Sequence, residues 1–291
     1  MYHEDFYGTS CANLEFNIND SEYADDTALI FESRNDANIG IPLCIKHFER
    51  FGMEVHSGPP DSKSVVLFCS KPPSLYNDPV TFDNVDLSNF IIGDRYIPVV
   101  DEFIYLGSVV SRDCTDDSDV NRRIQKASNA FGLIRKPLIS PQKIKMSIKA
   151  KVYQIFILAI LLYGVECWSL TEKLLNKLRA FHRRCIRSIC GVTLRDRKRT
   201  SDLLKKLNLQ SIDTYICRQQ LRWAGHVVRM PWNRLPRKLL SCWVRSKRPR
   251  GCPKYTYGRS LKKCLRKADI DPETWHVTAL NRSKWEIWCP L

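Results

Sequence analysis

The stretch LEFNINDSEYADDTALIF, Leu14–Phe31, decides the fold. Leu14, Phe16 and Ile18 alternate with polar residues, the period of a strand with one buried face. Asn19-Asp20-Ser21 reads as a turn. Tyr23 and Thr27–Phe31 are strand-like on either side of Asp25-Asp26, so a second turn is expected at that pair. The pair then stands at a hairpin tip, where both carboxylates can point into one cleft. Adjacent carboxylates repel, and a divalent cation is the simplest compensation. On the dipeptide alone a plain surface turn is the better explanation of the pair, since Asp-Asp is a common turn pair.

Downstream, residues 36–52 read as a helix with Ile41, Ile45 and Phe48 on one face and Gly52 as the stop signal. GPPDSKSVVLF is expected to give a turn and a strand, with Lys63 just before the strand, and FIYLGSVV, Phe103–Val110, one further strand. From Asp116 the period changes to helical, carried by Val120, Ile124, Ala127, Phe131 and Ile134. Most of the remainder reads as helix, with loops at Pro137–Pro141, Pro231–Pro236 and Pro249–Pro253. In Thr171–Cys190, Leu174, Leu178, Phe181, Cys185 and Ile189 form an apolar stripe that Gly191 ends.

Charge divides the chain as sharply as periodicity does. Residues 1–120 hold 7 Lys/Arg against 22 Asp/Glu, whereas residues 121–291 hold 39 against 9. A segment of net +30 is the footprint of a polyanion partner, foremost nucleic acid, with a solvated basic surface as the alternative. The hydrophobic fraction of 44% is globular rather than disordered. MYHEDFYGTS is acidic and lacks an apolar core, so no export signal is expected. The apolar run Ile155–Val165 is too short for a bilayer, which needs roughly 20 residues, and reads as a buried helix. Twelve cysteines without a secretory signal are expected to be reduced, in a nuclear or cytoplasmic protein. Cys185, Cys190, Cys252, Cys264, His276 and Cys289 are too widely spaced for a compact zinc module, which stays a minor alternative to incidental thiols.

Tyr23-Ala24-Asp25-Asp26 with its continuation YADDTALIF resembles the YxDD catalytic motif of reverse transcriptases from LINE-type (non-LTR) retrotransposons. The resemblance continues in order. FERFGMEVHSGPPDSKSVVLF is similar to the helix, turn and Lys-bearing strand after the catalytic hairpin, FIYLGSVVS to the strand that helps grip the primer, and DSDVNRRIQKASNAFGLI to the thumb helix. LLYGVECWSL, FHRRCIRSICGV, LRWAGHVVRMP and RPRGCPKY resemble the C-terminal part of one subgroup of these elements.

The resemblance implies an α+β chain. Residues 1–115 would be a partial polymerase palm of hairpin, helix and strands, 116–165 thumb-like helices, and 166–291 a basic helical C-terminal region. It implies Asp25 and Asp26 as ligands of a two-Mg²⁺ site and as catalytic carboxylates, Tyr23 beside the primer terminus, and Lys63 near the incoming deoxynucleoside triphosphate. A solvated strand-edge lysine explains Lys63 equally well. The partners implied are an RNA template and a DNA primer, with no membrane.

The chain also departs from the pattern. A third carboxylate, a nucleotide-binding helix and fingers are expected well upstream of the hairpin, and only 22 residues precede Tyr23. Asp5, in HEDFYG, lacks the apolar strand such a ligand needs and reads as a surface residue. Glu22 and Cys252 replace the usual apolar residue and Arg of the family. The expectation is therefore a reverse transcriptase fragment, inactive alone. The alternative is a non-enzymatic nucleic-acid-binding remnant, or a product with no activity.

In the basic half, Arg179, Arg183, Arg184 and Arg187 lie largely off the apolar stripe of their helix and are candidate phosphate contacts. Arg222, Arg229 and Trp232 in LRWAGHVVRMPWNR are candidates for backbone contact and base stacking. Trp223 and His226 read as core residues. RSKRPRGCPK, Arg245–Lys254, reads as a basic loop for phosphate, for nuclear localisation, or as solvated linker.

Overall fold

The computed structural model describes residues 20–31, 33–58, 62–69, 89–92, 95–241 and 256–288. They fall in two compact units, one within residues 12–115 and one within 116–291. The expectations for Asp5, Leu14–Asn19, Pro249–Pro253, Arg245–Lys254 and Cys289 lie outside the described residues. The whole is mixed α and β, with small sheets and a majority of helix, as an α+β reading requires.

The described part of residues 12–115 contains one substantial helix and four two-stranded ribbons. β1 (Asp20–Tyr23) pairs antiparallel with β2 (Asp26–Leu29), Tyr23 opposite Asp26. Asp20 and Ser21 are thus strand rather than turn. The tight turn is Ala24-Asp25, one residue earlier than the sequence suggests. Ala24 has φ +55° and Asp25 does not share the positive sign, the pattern of a type II′ hairpin loop. α1 (Arg34–Arg50) starts at Ser33, whose hydroxyl accepts the Asp36 N–H. Ala37 and Ile41 of α1 pack with Phe90 of β4 (Phe90–Ile92) and Ile97 of β5 (Arg95–Ile97). β3 (Val66–Leu67) runs parallel to β6 (Val99–Val100).

FIYLGSVV is not one strand. β7 (Glu102–Tyr105) turns back through Leu106-Gly107 into β8 (Ser108–Ser111). Both loop residues have positive φ, +47° and +84°, as a type I′ turn demands. Gly is at home there, and Leu106 is not, so the turn was hidden in an apolar run.

The described part of residues 116–291 is built of helices joined by turns and loops. α2 (Asp117–Ile134) is stitched at its start to the segment before α5. Asp116 accepts the Ser169 N–H at 2.7 Å, and Asp119 accepts the Trp168 indole N–H at 3.0 Å. The loop expected at Pro137–Pro141 begins only at Ser140, because Arg135–Ile139 is a π-helical turn that continues α2. Proline has no N–H to give, and a widened turn accommodates it. The Ile139 carbonyl then accepts the buried Lys149 ammonium of α3 (Met146–Val152) at 2.5 Å. The run Ile155–Val165 is a second π turn (Tyr153–Ile157), α4 (Leu158–Leu161) and a string of turns. Ile157, Leu158, Leu161, Leu162 and Val165 are buried, but Ile155 and Phe156 are exposed, so only one face of the run is core. Among the described residues no helix is long and apolar enough to cross a membrane.

α5 (Glu172–Cys190) follows the expected apolar stripe. Thr171 caps it by accepting the Leu174 N–H, and Gly191 closes it at φ +65°. α6 (Thr200–Leu207) and the first half of α7 (Ile212–Val228) complete a core with α2–α5. A second core joins the end of α7 to α9 (Tyr257–Lys267), α10 (Trp275–Leu280) and α11 (Arg282–Trp288), with Trp275 and Trp285 at its centre. α8 (Leu235–Ser241) follows the turn after α7. The Trp285 indole donates to the Leu221 carbonyl and lies against Gly225, where a Cβ would meet the ring at 2.1 Å. Only glycine allows that approach.

Candidate nucleic-acid interface and the YADD hairpin

At the hairpin, Tyr23, Asp25 and Asp26 are all exposed. Asp25 occupies the second loop position and Asp26 begins β2, so the carboxylates come from consecutive residues of one tight turn. The Tyr105 hydroxyl of β7 donates to the Ser21 carbonyl at 3.2 Å, which places the second hairpin against the first. Lys63 is exposed, and its backbone N–H donates to His56 Nδ1 at 3.2 Å. Among the described residues no group of three or more His, Cys, Asp or Glu side chains is placed to hold a metal ion.

The helical unit organises its cations in three ways. Arg179 is consumed internally. It donates to both Asp213 oxygens, Nη2 to Oδ1 at 2.5 Å, and also to Glu172 and Asn176. This pairing ties α5 to α7, and the Arg179 hydrogen bond holds the Asp213 carboxyl below its usual range. Arg187 is structural in a different sense. Its guanidinium donates to the Thr193 and Lys198 carbonyls at 3.2 Å each. It thereby clamps the loop between α5 and α6, which Asp196 braces by accepting the Thr193 N–H and hydroxyl.

Arg183 and Arg184 form the second group, exposed on the outer face of α5. Arg184 lies over the Phe181 ring at 5.4 Å. The clamped loop adds Arg195, Arg197, Lys198 and Arg199, all exposed. Sequence reasoning passed over these four, although LRDRKRT between two helix signals is itself a dense basic loop.

The third group is on α9. Arg259, Lys262, Lys263 and Arg266 line an open depression of about 460 Å³. Their spacing, i, i+3, i+4 and i+7, puts them on one helix face opposite Leu261, Cys264 and Leu265. Lys263 pairs with Glu172 at 2.7 Å and Lys262 with Glu273 at 3.2 Å. The period was present in RSLKKCLRK and would have revealed the stripe.

The remaining candidates are separated from these. Arg222 is exposed on α7. Arg229 donates to the Ala279 carbonyl at 2.7 Å and holds the end of α10. Trp232 is 47% exposed, with the Arg237 guanidinium 5.3 Å from its ring centre. His226 is exposed beside a half-buried Trp223, correcting its reading as a core residue. All eight described cysteines are free thiols.

Compared with known proteins, the chain is 24% identical over 286 residues to a putative uncharacterized transposon-derived protein of Caenorhabditis elegans. The match spans 92% of this chain and 94% of that protein. No protein-family model and no solved structure matches. The likeness points to a transposon-related origin.

Proposed function

We propose that the chain is a nucleic-acid-binding product of a LINE-type retrotransposon, related to the C-terminal part of its reverse transcriptase. The observation that carries this reading is the set of exposed cations that Arg187 organises: Arg183 and Arg184 with Arg195, Arg197, Lys198 and Arg199. A clamped loop presents its charges at lower entropic cost than a free tail. These six side chains and the α9 face contact the phosphate backbone of RNA, DNA or their hybrid, without reading sequence. Trp232 offers an exposed ring for stacking an unpaired base. Arg179 and Arg229 belong to the frame that positions this surface. The YADD hairpin is read as a mark of descent from the polymerase. The ordered motif matches and the transposon-derived relative support the retrotransposon lineage.

Fluorescence anisotropy with a labelled RNA–DNA hybrid tests the binding. Affinity is expected to fall steeply with added salt. Changing Arg183, Arg184, Arg195 and Arg197 to Gln should flatten the log–log salt slope by about 3, since each phosphate contact contributes roughly 0.7–0.9. Asp25→Ala should change nothing. Salt-insensitive binding, or an unchanged slope in the fourfold variant, defeats the proposal. Primer extension with Mg²⁺ should give no product, and synthesis abolished by Asp25→Ala would restore a working polymerase site.

A further inference from the structure

The second helical core contains a pair of thiols that the nucleic-acid reading does not use. Cys217 lies half-buried on α7, and Cys264 is buried on α9. Their Sγ atoms are 2.8 Å apart, and a disulfide bond needs about 2.0 Å. The pair is held there by its surroundings. Leu221 and Ala224 of α7 pack with Leu261 and Leu265 of α9 in one buried cluster, which holds the two helices together beside the sulfurs. Gln220 fixes the other side. Its amide donates to the Val165 and Trp168 carbonyls at 3.2 and 3.1 Å, which aims its oxygen at Cys264 Sγ, 3.3 Å away, as a second acceptor, beside Cys217 Sγ, for the one Cys264 S–H.

We propose that Cys217 and Cys264 are a redox-modification site, a dithiol that closes to a reversible disulfide when it meets a low-molecular-weight disulfide such as oxidised glutathione. The two thiols have unequal roles. Cys217 is the more accessible, and the Cys264 S–H directed at its sulfur holds its pKa below the ordinary value, with Lys267 and Lys263 assisting. Cys264 is shifted the other way, by donating that hydrogen bond and by burial.

Cys217 therefore loses its proton to solvent and attacks one sulfur of oxidised glutathione. That sulfur–sulfur bond breaks, and one glutathione thiolate leaves. Cys264, deprotonated as the second bond forms, then attacks Cys217 Sγ in the mixed disulfide and expels the second glutathione. The two protein thiols are oxidised by two electrons, and one oxidised glutathione becomes two reduced ones. The bridge closes a loop across 47 positions and staples α9 to α7.

The test uses the full chain, reduced and then exposed to oxidised glutathione, alkylated, digested and mapped by mass spectrometry without reduction. The expected product is a peptide linking Cys217 to Cys264, reversed by dithiothreitol. Cys264→Ser should stop at a glutathione adduct on Cys217, and Cys217→Ser should leave the remaining Cys264 without glutathione. The closed form should melt higher by about 5 °C or more, because the cross-link constrains the unfolded chain. The proposal is overturned if wild-type Cys217 stays free, if it stops at the glutathione adduct, or if closure lowers the melting temperature.

Discussion

In the described part of residues 12–115, a buried cluster of Ala37, Ile41, Phe90 and Ile97 is what the helix and ribbons share. In residues 116–291, one cluster runs from Val120 to Ile216 through five helices and into a sixth, and another centres on Trp275 and Trp285. The first region carries the motif that looks like chemistry, and the second carries the charge. A catalytic hairpin must be held to within a fraction of an ångström to work, whereas phosphate binding needs only a stable surface of the right sign. The helical unit has enough core to present a basic surface, and the hairpin is a four-rung ribbon whose described residues are exposed or half-buried.

The largest expected effect separates the two cores. Leu178→Ala removes a fully buried side chain from α5 and should cost about 3–5 kcal/mol, the range for such truncations where the site cannot collapse. Ile41→Ala, in the small cluster, should cost about 2 kcal/mol or less. All seven Trp lie beyond residue 167, so tryptophan fluorescence in urea follows the helical unit alone. Leu178→Ala should move that transition, and Ile41→Ala should leave it in place while lowering amide exchange protection in α1. A shift of the fluorescence transition by Ile41→Ala would break the comparison.

A smaller effect comes from polar groups inside the helical core. His182 is buried on α5. The Gln210 carbonyl can only accept, so His182 Nε2 carries the proton, and Nδ1 accepts from the Tyr153 hydroxyl at 2.7 Å. Burial pulls its pKa down to about 4 from 6.5. The unfolded state therefore binds the proton first. The neutral imidazole's contribution is fully present above pH 6.5 and is lost as the pH falls to about 4. The loss should amount to about 3 kcal/mol for a shift of this size. Urea unfolding at a series of pH values should show that slope, and His182→Gln should flatten it. An equal slope in the variant would assign the acid sensitivity to carboxylates such as Asp213 instead.

What the sequence disclosed depended on how local the cause was. α5 was legible to within a residue, because its Thr171 cap, apolar stripe and Gly191 stop are all written in its own stretch of sequence. The Leu106-Gly107 turn was not, because a left-handed Leu gives no signal. Pro137 reads as a helix breaker, yet the chain has a third option in the π turn. Arg179 and Arg183 look alike on a helical wheel. What distinguishes them is Asp213, 34 residues away, and no local pattern reports that pairing. Arg187 shows the same limit, since its partners are carbonyls of a loop whose path is set by tertiary structure.

The smallest expected effect concerns the hairpin itself. Ala24 holds φ +55°, a left-handed conformation that costs a residue with a Cβ about 1–2 kcal/mol. Glycine would remove that cost but would give the unfolded chain more freedom, worth about 0.4–1 kcal/mol in the opposite direction. Ala24→Gly should therefore stabilise the ribbon by about 0.5 kcal/mol. Amide exchange protection across the Tyr23–Asp26 pair should rise about twofold, with no change in nucleic-acid affinity. If protection falls instead, the Ala24 side chain is supporting the turn, and the hairpin is held more firmly than its thin core suggests. That outcome would narrow the difference between the two regions and revive the case for a functioning YADD loop.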